Sequence, residues 1–381
     1  MGKIAIAAVL SLALSLTACG DGSGDTSSPP NGGRAQSAGD PSPVSAAVGN
    51  IDDGAAHGKR ETYLFSFLHE GASPLDSAYF AMMSRFGGTM NFTLTETLFG
   101  GDYGTVADKL GALTEMDVDG LIISASGDDL AATNNYCNEL DIPHVYVFNA
   151  PRGASGEVLA PCVELDMTFA GRFMTDWLNT HARNTWGDEY APEKTGFIAT
   201  GWDGDPKLAS MGGGSALRVT ELYPELAGNI IYASLPSDGG MTQEAAYNAV
   251  YMAIITYRGV DRWLIPCVSD EFGLSVARAA ETLGVSDRVL IISPEMETVF
   301  EYWDADGGDA LTAAVTVDAP VNTGTALAGL IALCDGRASR DTLWQELRGP
   351  GEAFSVFKGR LRAVTRAEYL DYRQYVNAFF D

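Results

Sequence analysis

Short apolar runs that do not alternate with polar residues recur along this chain. The clearest pair is Gly120–Ser124 and His144–Phe148, GLIIS and HVYVF. Runs of that length, apolar on both faces and rich in β-branched residues, predict strands of a parallel sheet covered by helices on each side. Between them, Asp128–Leu140 places Leu130, Thr133, Tyr136, Cys137 and Leu140 along one helical stripe. Strand, helix and strand of this size make a right-handed βαβ crossover. The first strand runs into the polar loop Ser124–Asp128, at the carboxyl edge where open parallel sheets bind ligands.

The same unit repeats on both sides of this pair. Ahead of it, strands are expected over Thr62–Leu68 and Phe92–Thr97, and helices over Asp76–Phe86 and Thr105–Met116. A second series follows Pro161–Asp166. It predicts helices over Met167–Arg183, Ser215–Leu222, Met241–Arg258 and Gly273–Leu283, with strands over Thr195–Thr200, Asn229–Ala233, Arg262–Cys267 and Val289–Ser293. A last section from Ala313 adds a strand, the helix Thr323–Cys334, a strand over Phe354–Val364 and a helix after Thr365. The expected fold class is α/β, two Rossmann-like lobes in tandem, each on a parallel sheet. At 381 residues the chain is long enough for two cores.

The N-terminus bears on the compartment. Met1-Gly-Lys3 is a short basic start, and the apolar run Ile4–Leu16 is too short for an ordinary membrane span. It ends in Leu16-Thr17-Ala18-Cys19-Gly20, which resembles a bacterial lipobox. That resemblance implies a signal peptide over 1–18 and a diacyl anchor on Cys19, holding the protein on the outer side of a bacterial membrane without spanning it. A plain secretory signal with an incidental cysteine is the alternative. Residues 19–57, rich in Gly, Ser, Pro and Asp, read as a flexible tether. A net charge of −26 argues against a nucleic-acid partner, whose phosphate backbone it would repel. Among the other cysteines, Cys137 and Cys162 share a lobe and are expected to pair; separate buried thiols are the alternative. The spacings match no metal motif, and no cofactor is expected.

By this point the order of pieces resembles the type 1 periplasmic binding proteins, the sugar-binding branch shared by LacI-type regulator cores. The resemblance covers about Thr62–Val364 and rests on Val118-Asp-Gly-Leu-Ile-Ile123, Asp141-Ile-Pro-His-Val145, Ser269-Asp270 and Thr316-Val-Asp-Ala-Pro-Val-Asn-Thr-Gly324. It implies chain crossings near Glu164–Asp166, Asp318–Pro320 and Gly351. The lobes would then comprise 58–164 with 319–351, and 165–318 with 352–381.

Such a fold closes two lobes around one small molecule. Sugars call for aromatic faces and for planar polar side chains. Loops at the predicted strand ends supply Phe65, Phe67, Glu70, Glu96, Tyr103, Asp128, Asn149, Trp202, Asp203, Asp270, Glu295 and Asp318. By the resemblance, Asp270, Glu295 and Asp318 stand at or near ligand-binding positions; helix capping is the competing role for each. Trp202 is either a stacking face or a plug over the second core. The departures matter too. Ser210-Met-Gly-Gly-Gly214 stands where sugar binders carry an Arg, Ser269 replaces an Asn, and Ser293-Pro-Glu295 replaces Gly-x-Asp. An acidic cleft lacking that guanidinium suits an amino-bearing, cationic or less polar ligand. Alternatively, the glycines at 212–214 receive a phosphate at a helix start.

Catalytic groupings are sparse. His57, His69, His144 and His181 are scattered, and no HExxH, nucleophile elbow or phosphate loop appears. The expectation is therefore a non-enzymatic, monomeric solute-binding protein that delivers a sugar-like ligand to an ABC permease. A receptor docking on a membrane kinase or chemoreceptor is the second reading. A hydrolase using carboxylates across the cleft is the third. A transcriptional regulator is disfavoured by the lipobox and by the lack of a helix-turn-helix pattern ahead of Thr62.

Overall fold

The computed structural model describes residues 62–378 except 72–73, 101–102, 128, 225–228, 236–241 and 295–296. The leader, Cys19 and the tether therefore lie outside the described residues, as do Asp128 and Glu295.

The first apolar runs form β1 (Tyr63–His69), β2 (Phe92–Leu98), β3 (Gly120–Ser124), β4 (His144–Phe148) and β5 (Cys162–Glu164). Helices α1 (Pro74–Met90), α2 (Tyr103–Glu115) and α3 (Asp129–Glu139) connect them up to β4. Every residue of β3 and β4 is buried, as unbroken apolar runs require when helices cover both faces. The second series gives β6 (Thr195–Trp202), β7 (Ile230–Leu235), β8 (Arg262–Pro266), β9 (Val289–Pro294) and β10 (Leu311–Val317). Its helices are α4 (Met167–Trp186), α5 (Pro206–Leu222), α6 (Gln243–Thr256), α7 (Asp270–Leu283) and α8 (Glu297–Asp304). The last section adds α9 (Ala319–Cys334), β11 (Val356–Lys358), β12 (Leu361–Thr365) and α10 (Tyr369–Ala378).

These strands make two six-stranded sheets, ordered β11-β5-β4-β3-β1-β2 and β12-β10-β9-β8-β6-β7. All pairings are parallel except β12 against β10. The chain passes between the lobes at Leu165–Asp166, at Asp318 and at Gly359–Arg360. Helix α9 returns to the first lobe, where Leu327 and Leu330 pack with Phe65, Phe67 and Ile122.

Four expectations are corrected. The third crossing falls at Gly359–Arg360 and not near Gly351, because β11 first pairs with β5 in the first sheet. The strand expected over Phe354–Val364 is thus two strands. They break at Gly359, where an added Cβ would stand 2.7 Å from Leu165 Cδ2 and 3.0 Å from Glu164 O.

The helix expected over Ser215–Leu222 begins at Pro206, capped by Asp205, whose Oδ1 accepts from Lys207 N at 2.7 Å. Proline suits a first helical turn, where its missing N–H costs nothing. Gly212–Gly214 therefore lie inside α5 with no free N–H groups for a phosphate. Gly214 and Gly171 let α4 and α5 touch backbone to backbone, while Gly212 packs on Thr200 of β6 and Gly213 faces open space. A Cβ on Gly171 would lie 1.9 Å from Met211 O, and one on Gly214 2.2 Å from Thr168 O.

Cys137 and Cys162 are not bridged. Both are free and buried in one apolar cluster with Leu110, Leu121, Ile123 and Tyr146. They pack as small hydrophobes, and burial pushes the Cys137 thiol up to about 12.

Candidate functional site

The ends of β1, β3, β4 and β5 converge on a cleft of about 550 Å³ between the lobes, bounded opposite by the starts of α4 and α5. That volume lies in the ordinary range for a small-molecule site, about 300–1,000 Å³.

The first lobe supplies mainly hydroxyl, amide and carboxylate groups. Glu70, just past β1, accepts from the backbone N–H of Ser126 and from its hydroxyl at 2.8 Å. Ser124 Oγ donates to the buried Asp76 Oδ1 at 2.6 Å, and Asn149 Nδ2 to Ala125 O at 2.9 Å. Phe148 offers an aromatic surface. Its backbone sits in the left-handed region at φ 69°, its ring meets Tyr79 edge-on at 4.3 Å, and its carbonyl accepts from Leu165 N at 2.9 Å.

The floor is an ion cluster drawn from segments distant in sequence. Arg152 Nη2 donates to Glu164 Oε1 at 3.1 Å. Lys358 Nζ donates to Glu164 Oε2 and, at 3.0 Å, to Asp166 Oδ2. Asp166 also caps α4, accepting from Phe169 N at 3.0 Å. Burial works against the Asp166 carboxylate, but the Phe169 N–H and the Lys358 ammonium outweigh it and hold the carboxyl below its usual range. Likewise burial opposes the Lys358 charge, while Glu164 and Asp166 lift its pKa overall.

From the second lobe come Pro206, Lys207 and Ser210, all on the first turns of α5. Lys207 has no carboxylate partner among the described residues. It places a cation at the start of this helix, where the sequence pattern led one to expect none. The cleft therefore sets Arg152, Lys207 and Lys358 against Glu70, Asp76, Glu164 and Asp166, and the expectation of a one-sided acidic cleft is corrected.

No protein-family model and no curated sequence matches the chain. Solved structures do. The periplasmic ribose ABC transporter protein of Conexibacter woesei superposes with a TM-score of 0.60 at 14% identity, over 84% of this chain and 97% of that one. An arabinose-binding protein of Geobacillus stearothermophilus gives 0.57 at 16% identity, over 84% and 100%. A solute-binding protein of Actinobacillus succinogenes with bound D-allose gives 0.55 at 13% identity, over 82% and 100%. The fold is that of a type 1 periplasmic binding protein.

Within this periplasmic-binding-protein fold, the cleft gathers only some of the residues expected from the sequence. Glu70 and Asn149 line it; Asp128 and Glu295 lie outside the described residues, and Tyr103 opens α2. Phe65 and Phe67 are wholly buried under α1 and α9 and do not face the cleft. Glu96 is exposed on β2 and bonds the His69 ring. Trp202 is half-buried, leans on the second lobe's core against Gly204, and is not among the residues lining the cleft. Asp203 is exposed beside it.

Asp270 accepts from Glu271 N at 2.7 Å and from the Thr298 hydroxyl, tying α7 to α8. Asp318, fully buried, caps α9 by accepting from Val321 N at 2.9 Å. Neither lines the cleft. The residues missed were Asp76, Ser124, Phe148, Arg152, Lys207 and Lys358, with Glu164 and Asp166 named only as a crossing. The strand-end rule reaches Ser124 and Phe148; no local signal points to Lys358.

Proposed function

We propose that the chain is an extracytoplasmic solute-binding protein that shuts its lobes over one small, hydroxyl-rich ligand. A lipid on Cys19 holds it at the membrane, and it hands the ligand unaltered to an ABC import permease. The observation that carries this reading is the cleft lining. Three cations stand against four carboxylates there, so the wall presents donors and acceptors side by side with little net charge. A neutral polyhydroxylated molecule can satisfy both kinds, with its C–H face on Phe148. A strongly charged ligand finds no matching excess. The sugars bound by neighbours of the same fold support the same class.

Calorimetry and thermal shift with ribose, arabinose, allose and myo-inositol test the reading. The expected result is one-to-one binding by at least one of them, with a raised melting temperature. At a ligand concentration one hundred times Kd the stabilisation is about 2.7 kcal/mol. No binding by any polyol, or recovery of a chemically altered one, would overturn it. Palmitate labelling should disappear in Cys19→Ala; labelling that persists removes the anchor from the proposal.

A further inference from the structure

The pole of the second lobe away from the cleft carries a further cavity. It lies at the amino ends of β8 and β9, where α6 and α7 stop, and has a volume of about 340 Å³. Ile254, Ile255, Tyr257, Trp263, Leu283 and Val285 line it. Trp263 and Val285 are buried, whereas Ile255 and Tyr257 are 40% and 38% exposed. The Tyr257 ring meets Trp263 edge-on with centroids 6.4 Å apart. Water thus wets an apolar hollow, a surface that gains free energy when an apolar group covers it.

Three charged residues complete the lining, Arg258, Asp261 and Arg288. Asp261 already has a cation, with Lys194 Nζ 3.9 Å from its Oδ2. Neither the Arg258 nor the Arg288 side chain has a partner among the described residues. Carboxylates are not scarce in this chain, which holds 50 acidic residues against 24 lysines and arginines. Both guanidiniums on this cavity nevertheless go without one.

We propose that this hollow is a second ligand site, taking a small amphipathic carboxylate such as a medium-chain fatty acid. Planar guanidiniums match a carboxylate's two oxygens, and the alkyl chain covers Trp263, Leu283 and Val285. The volume is at the low end for small-molecule sites, about 300–1,000 Å³, which suits one alkyl chain and not a folded partner. The site stands apart from the sugar cleft, at the opposite edge of the second sheet, and does not depend on it.

Calorimetry of the full chain with sodium octanoate, kept below its micelle concentration, tests the proposal. One-to-one binding is expected. Octanol should bind roughly tenfold more weakly, since the charge-assisted pairs are lost. Hexanoate, shorter by two buried methylenes, should bind at least about fivefold more weakly. Arg258→Gln combined with Arg288→Gln should reduce octanoate to the level of octanol and leave sugar titrations unchanged. Glu70→Ala, in the cleft, should leave octanoate binding intact. Octanol binding as tightly as octanoate, or octanoate undiminished in the double variant, overturns the site while the sugar reading stands. So does a chain that never saturates with octanoate but is held on phosphatidylglycerol vesicles through the two arginines, which would make the pole a membrane contact. Octanoate binding as described, with every sugar inert, would sink the sugar reading and keep this one.

Discussion

Lys358 Nζ lies 3.0 Å from Asp166 Oδ2, linking the strand before the third crossing to the cap of the helix after the first. Two neighbouring backbone bonds reinforce this link, Gly359 N to Glu164 O at 2.7 Å and Asp318 N to Arg360 O at 2.7 Å. The three crossings are thus bonded to one another at the floor of the cleft.

Lys358→Met should lower stability by about 0.5–1 kcal/mol, the scale of a partly exposed ion pair. The sign with pH follows from the shifts. Asp166 is held below its ordinary 3.8, so its contribution is full above that value and is lost as pH falls through the lower folded one. Lys358 is raised above 10.5, so its contribution is lost only as pH rises beyond that. Urea midpoints across pH check both limbs, and an unchanged acid limb in Asp166→Asn would count against the assignment.

His144 occupies a different pH window. It is buried with Nδ1 2.7 Å from Ile142 O, and burial lowers it from 6.5 to about 4. The unfolded chain therefore takes up its proton first as pH falls. Stability from this group is complete above 6.5 and drains away towards 4. The loss is on the order of 3 kcal/mol, from 1.36 kcal/mol per pKa unit. His144→Gln should flatten the stability profile over that interval.

The α4–α5 contact makes a paired prediction. Gly171→Ala pushes a Cβ into Met211 O, backbone that cannot step aside, and should cost about 2–3 kcal/mol. Gly213→Ala, on the same helix pair with nothing within 4 Å of the new Cβ, should stabilise by roughly 0.5–1 kcal/mol. Denaturant titrations of the two variants should move in opposite directions.

For the ligand, Glu70→Ala and Asn149→Ala should each weaken sugar binding by more than about 1 kcal/mol, measured by calorimetry. Trp202→Phe should leave affinity unchanged and act on stability alone. A binding loss in Trp202→Phe would return that side chain to the site.

Thiol titration of unfolded, unreduced protein should find both Cys137 and Cys162 reactive. A missing pair of thiols would contradict the unbridged arrangement.

The parts of the fold that could be read from the chain are those carried by runs of neighbouring residues. GLIIS and HVYVF announced β3 and β4 because a strand covered on both faces has no polar alternation. The first turns of α5 escaped because Asp205-Pro206 opens a helix that then continues through three glycines, normally a break. β5 escaped because it is three residues long, and Gly359 read as mid-strand because its crowding against Glu164 and Leu165 is a tertiary fact.

Local sequence by itself determined the class of fold, the succession of strands and helices and the edge at which a ligand should sit, since periodicity and burial on both faces are properties of short segments. Only the tertiary structure decided which side chains reach that edge. Lys358 meets Asp166 across 192 residues of chain, and Phe65 turns inward because two helices happen to cover it. Strand ends are written locally, but the company each side chain keeps depends on how two sheets and three crossings come together.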